Sequence, residues 1–389
     1  MEPANIARKI SPSLTLAIDS KAKALKAEGK DICGFGAGEP DIDTPDHIKL
    51  AAAQALAEGF TKYTPSSGIP ELRQAIAEKL KSDNNLDYKP NQVIVSCGAK
   101  HSCYNAILAT CNPGDEVIIP APYWVSYTEM VKLAGAEPYI VKTKAENGYK
   151  MTPEELQASI SPSSKMVILN TPGNPTGSVY TENELAALVE IALEDDLFIL
   201  SDEIYEKIIY DGAKHFSIAS MSKQVYDHTI TVNGFSKSYS MTGWRLGYLA
   251  APESIARAVD SIQSHSTSNP TSFAQKGAVA ALRDSQDCVT DMLKSFEKRR
   301  NIMYEGLTST AGVTCVKPMG AFYMLPDISS FGMTSSQFCE TLLEQALVAA
   351  VPGIAFGDDR TIRFSYACSN ENIEKGISRF KDFCARLKK

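Results

Sequence analysis

The sequence is short of every feature that would tie it to a membrane, a nucleic acid or an oxidising compartment. No apolar run approaches the ~18–20 residues needed to cross a bilayer. The opening MEPANIARKI mixes charged and apolar residues and lacks the apolar core of a secretory signal. The nine cysteines are scattered and odd in number, and no CxxC pair has metal-ligand spacing. They are expected to be reduced thiols packed as small hydrophobes, with no metal site among them. No repeat or low-complexity tract occurs, which excludes solenoids and propellers. An excess of basic residues is also missing. The net charge of −7 argues against nucleic acid or anionic membrane as a general partner. A local group of Arg and Lys inside one pocket could still bind anionic small molecules. A cytoplasmic protein acting on small molecules is the expectation.

What is present is a chain of 389 residues, 44% hydrophobic, which is more than one core usually supports, so two domains are expected. The middle of the chain alternates short β-branched runs with helical patterns. Gln92–Ser96, Asp115–Ile119, Met166–Asn170, Leu197–Ser201, Thr229–Val232 and Arg245–Ala250 read as strands. Several are apolar on both faces, as in strands covered by helices on each side. Helices are predicted at about Lys100–Ala109 and within Thr181–Leu193, where Thr181 suggests a cap. This alternation predicts an α/β fold with a mostly parallel sheet and right-handed crossovers. Leu14–Lys30 and the long charged helix Asp291–Leu307, followed by strand-like Ala321–Leu325 and Ile362–Tyr366, fall outside the pattern. The expected division is 1–45 and 286–389 as a smaller α+β domain, with 46–285 as the large one.

Four segments carry chemistry: Ser96–Lys100 (SCGAK), Asn170–Gly177 (NTPGNPTG), Ser201–Tyr205 (SDEIY) and Val232–Gly247 (VNGFSKSYSMTGWRLG). Singly, each has a plain explanation. Glycine after a strand makes a turn, NPTG makes a tight loop, Asp at a strand end caps a helix, and a lone Lys is a solvated surface group. All four lie at or just after predicted strand ends, where open α/β sheets hold their ligands.

Taken together, these segments closely resemble the class I aminotransferases of the fold-type I pyridoxal 5'-phosphate enzymes, from Pro12 to about Leu387. The pattern S-K-x-x-x-M-T-G-W-R-x-G around Lys237 and the upstream SDEIY are highly specific to that group. AGEPD, YTPSSGIPELR, IIPAPYWVSY and VPGIAFG look most like its bacterial and plastid-type aspartate aminotransferase subgroup. The resemblance implies a large domain with a mostly parallel seven-stranded sheet covered by helices. It makes Lys237 the residue that holds pyridoxal 5'-phosphate covalently and carries a proton during the reaction. It sets Asp202 beside the pyridine nitrogen, Tyr205 and Asn174 on the phenolate oxygen, and Trp124 against the ring. Arg245 would clamp the phosphate, helped by Gly98, Ala99 and Lys100 at a helix start. Many relatives have Ser three residues before the lysine; here that residue is Gly234, and Ser236 would take its place. Tyr63 would reach the phosphate of a neighbouring subunit, which implies a homodimer with active sites at the interface.

For the substrate, Arg363 in TIRFSYA matches the family arginine that binds the α-carboxylate, and Gly38 matches a loop whose backbone touches substrate. Trp124 and Asn174 would face the substrate as well. Lys100 would pair with a second carboxylate, with Thr15 as a helper. Such a charge-paired pocket rejects neutral side chains, because a buried cation would be left without a partner. The expectation is transamination of L-aspartate with 2-oxoglutarate by a ping-pong route. Rival expectations are an aromatic, alanine or prephenate aminotransferase, or a lyase, on the same fold. Relatives active on prephenate carry Lys before the N-terminal Pro-Ser, whereas Ser11 precedes Pro12-Ser13 here. A regulatory protein that only senses the cofactor is disfavoured, since nothing like a helix-turn-helix lies in residues 1–31.

Overall fold

The computed structural model describes residues 2–12 and 14–387, with only the backbone described at Leu16 and Asp19. Ser13 therefore lies outside the described residues. Strand β1 (Cys33–Gly34) comes first in the chain. The central strands follow: β2 (Val93–Ser96), β3 (Glu116–Ala121), β4 (Glu137–Lys142), β5 (Ser164–Asn170), β6 (Phe198–Asp202), β7 (Thr229–Gly234) and β8 (Gly247–Ala250). After them come β9 (Tyr323–Met324), β10 (Val348–Ala349), β11 (Val351–Pro352) and β12 (Ile362–Ser365).

Strands β2 to β8 form one seven-stranded sheet in the order β2-β8-β7-β6-β5-β3-β4. It is parallel except for β8, which runs antiparallel to both β2 and β7. Strands β2, β7 and β8 are buried along their whole length, as a sheet covered on both faces requires. On one face Ile94, Ile119, Leu200 and Ile230 pack against Cys103, Ile107 and Val259, which lie on helices Ala99–Thr110 and Glu253–Ser266. On the other face Ile118, Val167 and Ile199 meet Leu185, Leu188 and Val189 of helix Glu182–Glu194. That helix starts in a reciprocal cap: the Thr181 hydroxyl accepts from Glu184 N, and Thr181 N donates to the Glu184 carboxylate.

Two details differ from the sequence reading. The six runs seen there leave out β4, an edge strand whose residues are exposed or half-buried except for Val141. The run beginning at Arg245 does not become a strand until Gly247; Arg245 itself turns through the left-handed region at φ 54°.

Outside the sheet, β1 pairs in parallel with β10, and β12 is flanked by β9 and β11. Cys33 and Phe35 share a core with Phe296, Phe322, Phe338, Phe364 and Phe380. The two chain ends are thus packed on each other. Among the described residues, no helix is long and apolar enough to cross a membrane.

Candidate active site

Strands β5 and β6 end side by side, with Asn170 opposite Asp202, and β7 ends one strand further on. Side chains leaving these ends converge on a cavity of about 570 Å³. Lys237, Ser236 and Arg245 come from the turn between β7 and β8, Ala99 and Lys100 from the first turn of the helix after β2, and Trp124 and Asn174 from the loops after β3 and β5. Arg363 enters from β12, and Gly38 and Thr15 come from the N-terminal region. These residues are separated by up to 348 positions in the chain, and the fold gathers them in one place.

Asp202 is 3% exposed. One carboxylate oxygen accepts from the Tyr127 hydroxyl at 2.5 Å, and the other accepts from Ile204 N at 3.2 Å. Burial pushes this carboxyl up to about 6, against the pull of the two donors. The Cys103 thiol lies 3.9 Å from the same oxygen as Tyr127. Lys237 Nζ donates to the Gly38 carbonyl and lies 5.9 Å from the Tyr205 ring. Burial lowers this amine to about 8; the Glu39 carboxylate opposes the shift, while Arg363 and Arg245 add to it. The Tyr205 and Tyr323 hydroxyls are bonded to each other at 2.9 Å.

Arg363 is 3% exposed, with its guanidinium 4.4 Å from the Tyr323 ring and 4.9 Å from that of Phe356. It donates to the Asn174 side-chain oxygen at 3.0 Å and to the Gly36 carbonyl at 2.9 Å. Its Nε is buried with no hydrogen-bond partner. Lys100 Nζ sits 5.1 Å from the Trp124 ring, and burial followed by Arg245 lowers its pKa. Trp124 in turn meets the Tyr127 ring edge-on at 5.2 Å.

The turn between β2 and its helix is shaped around Arg245. Gly98 adopts φ +91°, and a Cβ there would stand 2.4 Å from Arg245 Nη2, so the position requires glycine. The guanidinium is anchored on the carbonyls of Thr242 at 2.7 Å and Cys97 at 3.3 Å. Gly234 has its own constraint: a Cβ would fall 2.9 Å from Gly247 Cα and 3.2 Å from Leu246 O. The two strands pass too closely at this point for a side chain such as that of serine.

The family model for aminotransferases of class I and II matches residues 30–380. The chain belongs to that family. This aminotransferase is 50% identical to an aspartate aminotransferase of Bacillus sp. (strain YM-2), over 98% of each chain. It is 48% identical to an aspartate/prephenate aminotransferase of Cereibacter sphaeroides, covering 97% of this chain and 98% of the other. Its fold superposes on the aspartate aminotransferase of Thermus thermophilus with maleate at a TM-score of 0.94 and 42% identity, over 98% and 99% of the two chains.

Two of the site residues named from the sequence stand apart from the cavity lining. Gly98 lies behind Arg245, and Tyr63 is 91% exposed on the surface. Other residues of the aminotransferase cavity were not anticipated: Tyr127, Glu39, Thr242, Lys23 and Tyr323. Tyr127 follows Trp124 by three positions at the head of helix Ser126–Leu133, a spacing that could have signalled it. Tyr323 comes from a two-residue strand far along the chain, and no local pattern marks it.

Proposed function

We propose that the chain transaminates L-aspartate with 2-oxoglutarate, using pyridoxal 5'-phosphate held by Lys237. The observation that carries this reading is the meeting of Lys237, Asp202, Tyr205 and Arg363 in one cavity. The residues suit the cofactor. A buried carboxylate stands ready for a protonated ring nitrogen, and an arginine is clasped into a glycine turn at a helix start, where a phosphate fits. When bound, pyridoxal 5'-phosphate supplies an electron-withdrawing ring that stabilises negative charge at the substrate Cα.

The chain's own groups would do the rest. The Asp202 carboxylate holds a proton on the ring nitrogen, and the Tyr205 hydroxyl and Asn174 amide donate to the ring oxygen. Arg245, Ser236 and the backbone at Gly98 and Ala99 would hold the phosphate, and Trp124 would lie beside the ring. Lys237 Nζ, its basicity reduced by burial, would take the proton from Cα. Arg363 binds the α-carboxylate beside the Gly38 loop. Lys100, with Thr15 nearby, would meet the second carboxylate. A dicarboxylate preference draws support from the relatives named for aspartate and from the Thermus enzyme with maleate.

We also infer a homodimer in which Tyr63 completes the neighbouring site; its 91% exposure supports this. Residues 1–45 and 286–389 would form a small domain that closes on 46–285 and excludes water, in keeping with the pairing of β1 with β10. A cytoplasmic location accords with nine cysteines that form no disulfide among the described residues. A second reading, prephenate as acceptor, is supported by the Cereibacter relative and opposed by Ser11 in place of lysine. The deciding experiment is a half-reaction on purified protein. A visible absorption should shift on adding aspartate and return with 2-oxoglutarate. Normal turnover by Lys237→Ala would sink the assignment. Comparing aspartate, alanine, phenylalanine and arogenate as donors, and prephenate as acceptor, separates the readings.

A further inference from the structure

The segment SDEIY continues into a second set of polar residues that the chemistry above leaves unused. Ser201 on β6 and Glu203 just past its end point away from Asp202, as the two-residue alternation of an extended chain requires. There the Glu203 carboxylate, fully buried, accepts from Ser201 Oγ at 3.0 Å and Ser217 Oγ at 2.7 Å, and His215 Nε2 lies 2.8 Å from it. Glu206, one residue after Tyr205, binds the Lys79 ammonium on one oxygen and Asn84 Nδ2 at 2.7 Å on the other. Asn84 closes the ring by donating to Ser217 Oγ at 2.8 Å and accepting from Lys79 Nζ at 2.7 Å. Lys79, Asn84, Glu206 and Ser217 are each at most 9% exposed.

The ligand atoms of Glu203, Glu206 and His215 all lie within 4.8 Å of one another, a spacing that could suit a metal ion. The cage already holds its own cation, however, because Lys79 occupies Glu206. Burial pushes the Glu206 carboxyl up, but Lys79, His215 and Asn84 overcome this and hold it down at about 2. Burial likewise opposes a charged His215, and the Glu203 carboxylate outweighs it and raises the imidazole pKa. Two carboxylates thus face one ammonium and one imidazole, joined through Asn84 and Ser217. A buried, hydrogen-bonded set of this kind resists any shift of its members, since moving one leaves another unpaired.

That rigidity falls on the backbone that carries the active site. Glu203 and Glu206 immediately follow Asp202 and Tyr205, and Glu206 N donates to Glu203 O at 2.9 Å, so the cage grips both ends of a single turn. Glu203 N is tied to Val232 O of β7 at 2.8 Å. On its other side the cage is anchored in helix Pro70–Asn84, which contributes both Lys79 and Asn84.

We propose that Lys79, Asn84, Glu203, Glu206, His215 and Ser217 form a positioning cage that fixes Asp202 and Tyr205 against the cofactor ring. This rests on the roles given to those two residues above. None of the six is a catalytic residue; they act through the turn they hold. The cage therefore governs how the ring is held; Arg363, on β12, makes its own hydrogen bonds outside it, to Asn174 and Gly36.

The test uses apoprotein reconstituted with pyridoxal 5'-phosphate. Glu203→Gln and the double variant Lys79→Met/Glu206→Gln are compared with wild type; the double change removes both partners and leaves no lone buried charge. His215→Ala is paired with His215→Gln, whose amide can still donate to Glu203. Five quantities are read: cofactor dissociation constant, pH midpoint of the bound cofactor's visible absorption, kcat for aspartate, KM for aspartate, and thermal midpoint. The expected result is about tenfold weaker cofactor binding and about tenfold lower kcat with KM unchanged. The absorption midpoint should also rise by about one unit, because Tyr205 no longer donates in line to the ring oxygen. His215→Gln should restore what His215→Ala loses. Variants that melt earlier yet keep the wild-type dissociation constant and midpoint would show a merely structural cage and overturn the inference. If wild type itself binds no cofactor, the proposed function falls and takes the cage's role with it, a result distinct from the first.

Discussion

Lys237 and Asp202 are each held by the fold in a state that the isolated side chain would not favour. The folded chain holds Lys237 at about 8 against 10.5 for the free group. Between those values it binds fewer protons than the unfolded chain, so stability rises with pH across that window, and the full cost remains below about 8. Lys237→Met should therefore be more stable than wild-type apoprotein by roughly 2 kcal/mol at pH 7, with the gap closing near pH 10.5. Urea denaturation at the two pH values checks this. Asp202 has the opposite sign: its carboxyl at about 6, against 3.8, makes the apoprotein lose stability as pH rises from about 4 to 6. Tyr127→Phe removes the 2.5 Å donor that draws Asp202 down. The acid limb of the kcat/KM profile should then move up by about one unit, and a pH–rate profile that stays in place would contradict the role given to Tyr127.

At the scale of single elements, the β7–β8 turn is the tightest constraint. Gly234→Ser would introduce the serine that the family resemblance leads one to expect, but its Cβ would press on Gly247 Cα at 2.9 Å. It should weaken cofactor binding and cost about 1–3 kcal/mol of stability; reconstitution titration and denaturation measure both effects. The sequence marked Gly234 as a departure without a reason, because the reason lies in the neighbouring strand. The same limit explains what else was legible. Buried strands such as β5 and β6 announce themselves by apolar runs, and Lys237, Asp202 and Arg363 by their motifs. Edge strand β4 shares its alternation with ordinary surface chain. The apolar neighbours of Arg245 give it the pattern of a strand and hide the left-handed turn that points it at Gly98. The buried cage was invisible, since Lys79, Asn84 and His215 meet the SDEIY turn only once the chain has folded.

For the whole molecule, Tyr63 sets the test. Its ring is 91% exposed, with Leu50 at 68% and Leu56 at 49% exposed on the preceding helix. If each site borrows Tyr63 from a second subunit, Tyr63→Ala and Lys237→Ala should each be impaired alone. Refolded together they should regain activity, because a mixed dimer contains one intact site; random pairing makes about a quarter of all sites intact. Activity that never exceeds the sum of the two variants would exclude shared sites. The contact between Arg363 and the Asn174 amide oxygen has a wider consequence. The amide oxygen accepts from the guanidinium, and the N–H end of the same amide would donate to the cofactor's ring oxygen. An anion that draws the guanidinium away would free the oxygen end and let the amide turn further toward the ring. The two ligands are thereby thermodynamically linked: each should tighten the other by the same factor. Asn174→Ala would uncouple them, so that a dicarboxylate inhibitor binds cofactor-loaded and cofactor-free protein alike.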